Sequence, residues 1–175
     1  VCSVSRASIL TGTHHLKHGV IFSHDSLSKF FLKNNFAGIL KAQGYHTGFI
    51  GKWGFGLPPQ RYFNYWKGYQ SETNYIEDGV HVTTMQTSKA LEFIESAPAD
   101  KPFLLIVSYT APHTPFVPQP KFSKLYSKMN IERSATDTTQ DFEALPPLLK
   151  TSRGRRDYKR HELDNDAVFN RRMKD

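Results

Sequence analysis

With one cysteine in 175 residues, the chain has no means of building an internal disulfide framework. It has no apolar run of the about 20 residues that a membrane-crossing helix needs, no signal-peptide pattern and no internal repeat. Acidic side chains are also short: 16 against 23 lysines and arginines, a formal charge of +7. That balance favours anionic partners in general, and nucleic acid, sulfated sugars and phosphoesters satisfy it equally. The chain does not open with methionine, and residues 166–175 read as a helix cut in mid-course. An internal piece of a longer protein is therefore expected, folded as a single domain over 1–175, large enough for a real core.

What is present is organised in two stretches. Residues 14–35 are polar and aperiodic and read as a loop pinned by Leu27, Phe30, Phe31 and Leu32. Residues 36–43 read as a short helix with Phe36, Ile39 and Leu40 on one face, stopped by Gly44. Thr47-Gly48-Phe49-Ile50 reads as a strand leading into Gly51-Lys52-Trp53-Gly54-Phe55-Gly56, whose glycines point to positive φ or a close approach. Residues 58–79 are irregular and aromatic, a loop laid on a sheet edge. Residues 82–96 read as a helix with Thr83, Thr87, Ala90, Leu91 and Ile94 inward, and 98–102 as a turn. Phe103-Leu104-Leu105-Ile106-Val107-Ser108 then reads as a buried parallel strand. Strands joined by helical crossovers make this an α/β fold with a mostly parallel sheet flanked by helices. Residues 118–175 are loop-rich and basic, with a short helix near 121–126, cationic residues from Lys150 to Arg160 and a terminal helix. The basic stretch reads as a solvated loop; it has no recognisable nucleic-acid module, and nucleic acid is not expected as a partner.

The most reactive pattern lies at the start: Cys2-Ser3-Val4-Ser5-Arg6-Ala7-Ser8-Ile9-Leu10-Thr11-Gly12. Small residues behind Cys2 can open a helix, which places the sulfur where unpaired backbone N–H groups favour negative charge. Arg6 adds a full positive charge one turn on. Such a corner can attack or hold an oxyanion, yet a lone cysteine is also a common inert core residue, and the chemistry of this segment alone leaves both readings standing.

Two further segments, Gly44-Tyr45-His46-Thr47-Gly48-Phe49-Ile50-Gly51-Lys52-Trp53-Gly54-Phe55-Gly56 and Ser108-Tyr109-Thr110-Ala111-Pro112-His113-Thr114-Pro115-Phe116, follow in order. Together the three segments, within about 1–117, resemble the formylglycine-dependent sulfatases of the alkaline-phosphatase-like superfamily. The resemblance implies a sulfuric ester hydrolase on a partial sulfatase fold. Its implied chemistry starts with oxidation of Cys2 to formylglycine by a maturation enzyme. The hydrated aldehyde, activated by a divalent cation, attacks sulfur and later eliminates sulfate, a covalent route with built-in release. The implied cofactors are formylglycine and Ca²⁺ or Mg²⁺, with Cys2 as the metal ligand within this chain and the other ligands outside it. Arg6 would hold the hydrate, Lys52 the sulfate oxygens, and His113 would protonate the leaving alkoxide or bind sulfate. The bland alternatives are a surface ion pair for Arg6, a solvated Lys52 and a backbone-bonded His113. Thr11, Gly12 and the His18-Gly19 pair are expected to shape structure. A periplasmic, secreted or lysosomal-type compartment is implied by the family.

The sequence departs from the pattern twice. Val4 stands where proline or alanine is usual, and Gly54 where many members carry histidine. Asp164-Asn165 follows a basic loop and not an apolar strand, and receives no ligand role. Two other readings follow: a phosphonate or phosphate ester hydrolase of the same superfamily, or an inactive sulfatase-like protein binding sulfated glycans. The sulfated compound itself is not legible; the aromatic stretch 62–75 is the first candidate for choosing it. The piece alone is expected to bind Ca²⁺ poorly, turn over little and be marginally stable.

Overall fold

The computed structural model describes residues 2–70, 74–152, 167 and 169. It divides into two compact units between Pro115 and Phe116. The first opens with α1 (Cys2–Thr11). Its buried residues Ser3, Ala7 and Leu10 fall at helical spacing on one face. Thr11 Oγ1 donates to the Ala7 carbonyl at 2.8 Å, and Gly12, at φ 64°, closes the helix. The helix thus begins at Cys2 itself rather than behind it.

Residues 14–35, expected as loop, contain two short helices, α2 (His15–His18) and α3 (Lys29–Lys33). Of the expected anchors, Leu27 is buried and Phe30 is 65% exposed. Then α4 (Phe36–Ala42) starts at a fully buried Asn35, whose side chain accepts from Gly38 N–H at 2.9 Å. Its inward residue is Ala37, and Ile39, expected inside, is 49% exposed.

A parallel sheet of order β2-β1-β5 follows, from β1 (His46–Lys52), β2 (Tyr65–Tyr69) and β5 (Phe103–Ser108). Between β2 and β5 come a small ribbon, β3 (Ile76–Glu77) with β4 (Val80–His81), and the long helix α5 (Val82–Ser96). The aromatic stretch is therefore part strand: β2 runs parallel to β1, pairing Gly48 with Tyr65 through Lys52 with Tyr69. Period-2 alternation is hidden there because Tyr65, Trp66 and Tyr69 carry rings toward both faces. The inward face of α5 is Val82, Gln86, Ala90 and Phe93. The expected face lay a fraction of a turn away; Leu91 and Ile94 are about half exposed (54% and 46%). Phe93, fully buried, fixes the phase by stacking on His46 at 5.1 Å and meeting Tyr65 and Phe103 edge-on.

The other face of the sheet carries the main core, in which Phe49 lies against Trp66 at 4.8 Å and Trp53 against Phe55 at 4.4 Å, with Ala7, Leu10 and Ala37 beside them. Central β1 is buried along nearly its whole length. β5, expected to be buried, is only partly so, because β1 is its sole partner among the described residues.

In the second unit, residues 121–126 give one 3₁₀ turn, Pro120–Phe122, in place of the expected helix. Two short helices follow, α6 (Thr139–Ala144), capped by Thr138, and α7 (Pro147–Lys150). Their exposed ion pairs, Arg133–Asp137 and Lys150–Glu143, contribute little to stability. The basic residues 153–160 and Asp164-Asn165 lie outside the described residues; Ala167 and Phe169, within the expected terminal helix, are helical. No described helix is long and apolar enough to cross a membrane.

Candidate functional site

Chemistry gathers where the parallel strands end. Because β1, β2 and β5 run the same way, their last residues, Lys52, Tyr69 and Ser108, lie along one edge. Helix α1 crosses that edge. Ser3 donates to the Gly54 carbonyl at 2.9 Å. One turn on, Arg6 Nη1 donates to the Lys52 carbonyl at 2.7 Å and to Ser108 Oγ. Arg6 thereby ties two strand ends to the helix bearing Cys2. Burial draws its guanidinium downward in pKa, while Cys2 and Tyr69 oppose that; arginine remains charged throughout.

The backbone past β1 is turned by glycines. Gly51 has φ 94° and Gly54 φ 85°, a region that L side chains rarely adopt. A Cβ at Gly51 would collide with the Ser108 carbonyl. At Gly54 a Cβ would stand 3.3 Å from Arg6 Cδ and 3.5 Å from Lys52 Cε. The residue that departs from the sulfatase pattern is thus required by the local backbone and lies against both cations.

Beside them opens a cleft of about 470 Å³, bordered by Cys2 and Lys52, by Gly54 and Gly56, and by Ser23, His24 and Gln70. Lys52 is 7% exposed, and among the described residues no carboxylate forms an ion pair with it. A buried ammonium bordering a cleft without a counter-charge is a ready partner for an anion. Cys2 is exposed at the same cleft. Burial pushes its thiol up, but hydrogen bonding to Ser3 together with the Lys52 ammonium and the chain's amino-terminal charge pulls it below its ordinary value.

The structure therefore brings together Cys2, Arg6 and Lys52. His113 stands apart from the residues that border the cleft. It sits exposed on the turn after β5, where its N–H donates to the Thr110 carbonyl at 3.0 Å and its own carbonyl accepts from Tyr75 Oη. Its Nδ1 is 2.7 Å from the Thr114 carbonyl, which can only accept, so Nδ1 carries a hydrogen and Nε2 is the nitrogen left to act. His18 is structural, as expected: Nδ1 accepts from Val20 N–H at 3.0 Å, so neutral Nε2 donates to Ser8 Oγ at 3.0 Å.

A calcium ion takes 6–8 oxygen ligands. Among the described residues no three His, Cys, Asp or Glu side chains group to hold a metal, and the cleft offers no carboxylate, only Lys52, His24, Ser23 and Gln70 side chains beside Cys2. The described residues do not by themselves make a Ca²⁺ or Mg²⁺ site.

Reading by residue type passed over Ser108, Tyr69, Gln86, His24 and Gln70. Ser108 and Tyr69 could have been found from their places at strand C-terminal ends. Gln86 becomes visible only once the buried face of α5 is known. His24 and Gln70 carry no sequence signal.

A helix start bearing Cys2, an arginine clamp and a buried lysine at the ends of parallel strands make an α/β corner with the charge to hold an anion. The Sulfatase family model matches residues 1–174. Among curated proteins the chain is 30% identical over 137 residues to N-acetylglucosamine-6-O-sulfatase of Bacteroides thetaiotaomicron, covering 70% of this chain and 24% of that protein. To N-acetylglucosamine-6-sulfatase of Homo sapiens it is 27% identical over 169 residues, 77% of this chain and 30% of that one. Among solved structures it resembles BT4656 in complex with its substrate D-glucosamine-2-N,6-O-disulfate. That likeness has 25% identity and a TM-score of 0.65, over 99% of this chain and 44% of that chain. The chain belongs to the sulfatase family of the alkaline-phosphatase-like superfamily. It spans about a quarter of the first of these relatives and under a third of the second (24% and 30%).

Proposed function

We propose that the protein containing this chain hydrolyses a sulfate ester of a glycan, with a 6-O-sulfated glucosamine as the substrate class. The observation that supports this reading best is the juxtaposition of Cys2 with the buried Lys52 at one cleft, clamped by Arg6. The names of the relatives, which act on N-acetylglucosamine 6-sulfate, and the glucosamine disulfate bound by BT4656 support the substrate class.

In this reading Cys2 is the precursor of formylglycine, made by a maturation enzyme, and supplies the covalent nucleophile. Lys52 neutralises the sulfate oxygens as a point charge, and its burial makes that attraction stronger than in bulk water. Arg6 holds the helix start against the ends of β1 and β5 and keeps positive charge beside the nucleophile. His113 delivers a proton to the leaving alkoxide from Nε2. A divalent cation, Ca²⁺ or Mg²⁺, belongs to the reading as cofactor, with ligands beyond the described residues. A compartment outside the cytosol accords with a glycan substrate.

The test uses the full-length protein, expressed with active maturation machinery. Sulfate release from glucosamine 6-sulfate is measured alongside an aryl sulfate and an aryl phosphonate, and the Cys2 peptide is weighed. Turnover of the sugar sulfate and a mass about 18 Da below the cysteine form are expected. A faster phosphonate rate would favour the phosphoester reading. An unmodified thiol with glycan binding and no turnover would leave an inactive binder.

A further inference from the structure

His113 is held by little of its own: it is exposed, on a turn, and away from the cleft that Cys2 and Lys52 border. Beneath that turn lies a polar chain that the anion-binding corner does not use. Gln86, 3% exposed on the inner face of α5, donates from Nε2 to Tyr69 Oη at 2.5 Å. Tyr69 Oη is 2.6 Å from Thr110 Oγ1. The tyrosine oxygen accepts from Gln86, which leaves its own hydrogen able to go to the threonine. Thr110, 4% exposed, in turn takes the His113 N–H on its carbonyl at 3.0 Å.

The chain thus runs from α5, through the C-terminal residue of β2, to the turn carrying His113. Two features make it more than fold cement. It is buried and built of neutral groups, so removing the Tyr69 hydroxyl leaves both Gln86 Nε2 and Thr110 Oγ1 short of a partner. It also ends on Thr110, whose carbonyl accepts the His113 N–H.

We propose that Tyr69, oriented by Gln86 and bonded to Thr110, is a positioning residue that sets the His113 turn for protonation of the leaving alcohol. The inference rests on the sulfatase reading. In the step concerned, the nucleophile oxygen bonds to sulfur as the bond from sulfur to the sugar oxygen breaks. The imidazolium Nε2–H gives its proton to that departing oxygen, leaving an alcohol and a neutral imidazole. A sugar alkoxide needs that proton; 4-nitrophenolate leaves without it. Misplacing His113 must therefore cost more on the first substrate than on the second.

The experiment compares Tyr69→Phe, Thr110→Val, His113→Ala and the double variants in the full-length matured protein, on glucosamine 6-sulfate and 4-nitrophenyl sulfate. His113→Ala is expected to lose on the order of 10²-fold in kcat on the sugar sulfate, at least about tenfold more than on the aryl ester. Tyr69→Phe and Thr110→Val should show the same substrate bias at about tenfold, in kcat rather than KM. Combined with His113→Ala, either should add less than about twofold, as expected for residues acting through one another. Equal losses on both esters, or full additivity with His113→Ala, would overturn the proposal. Thr110→Val keeps the shape of the side chain and covers the case in which Tyr69→Phe fails to fold. A wild type inactive on both esters would instead sink the sulfatase reading itself, and a His113→Ala with no substrate bias would remove His113 as the acid.

Discussion

Arg6 and His113 are the two side chains of the site that the backbone treats most differently. Arg6 projects from a ten-residue helix and is bonded at once to the ends of β1 and β5. His113 sits on an exposed turn, held through its own main chain by Thr110 and Tyr75. The corner bearing Arg6 is thus part of the core, and His113, the proposed acid, is an attachment to it. Stability and chemistry should be inseparable in the corner and separable at the turn.

The largest expected effect comes from the exception within the corner. Cys2 is exposed, so Cys2→Ala should abolish sulfate release, by about 10⁴-fold or more for loss of a covalent nucleophile. Its melting temperature should stay within a few degrees of wild type. A Cys2→Ala protein that keeps a tenth of the activity would show that the helix start merely binds the anion.

Arg6→Lys tests the corner proper. The charge is kept, but the planar guanidinium whose Nη1 reaches both Lys52 O and Ser108 Oγ is lost. Sulfate turnover should fall by about 10²-fold, and stability by about 1–3 kcal/mol, since two part-buried acceptors lose their donor. Chemical denaturation and steady-state kinetics on the same preparation read both. A loss of activity without loss of stability would make the corner resemble the turn.

How much of this contrast the sequence carried differs by region. α5 and β5 were legible to the residue because Gly, Pro and apolar runs bound them; β1 ran further than expected, through Lys52. The Cys2, Arg6 and Lys52 motifs were legible as types, and the glycines from Gly51 to Gly56 as positions of positive φ or close approach, which Gly51, Gly54 and Gly56 bear out. What was hidden depends on phase and pairing. The inward face of α5 is set by Phe93 packing on His46, a tertiary contact that periodicity cannot place to within 100°. β2 was hidden because its strand bonds come from β1, and nothing in Tyr65 to Tyr69 alternates. Gln86 follows from the first of these and Tyr69 from the second.

Gly54 sharpens the comparison at intermediate size. Gly54→Ala should destabilise by roughly 1–2 kcal/mol for a left-handed alanine, where an ordinary Gly→Ala change would stabilise. It should also lower activity, because the new methyl would press on Arg6 and Lys52. Gly54→His, which restores the residue common among sulfatases, should behave at least as badly; a gain in turnover would show that the backbone relaxes around the side chain.

A smaller effect is read on the unmatured protein. Lys52 and the Ser3 hydroxyl favour the Cys2 thiolate over the pull of burial. Iodoacetamide should therefore alkylate Cys2 with a midpoint below that of a free thiol. Lys52→Met should move the midpoint upward, toward the free value. An unchanged midpoint would place the ammonium away from the sulfur.

The smallest effect belongs to His18, which joins the Ser8 turn of α1 to the chain at Val20 and so backs the corner from behind. Burial, then His15 and His14, lower its pKa, so the folded protein favours the neutral ring whose Nδ1 accepts from Val20 N–H. Below the ordinary histidine value of about 6.5 the unfolded chain binds the proton more readily, and stability rises with pH there. The contribution is therefore complete above that value and is lost as pH falls through the lower folded one. Urea midpoints should decline on acidification through this window more steeply for wild type than for His18→Gln, which stays neutral. Parallel slopes would mean that the Val20 bond adds nothing to stability, and that the helix bearing Arg6 is held by its core face alone.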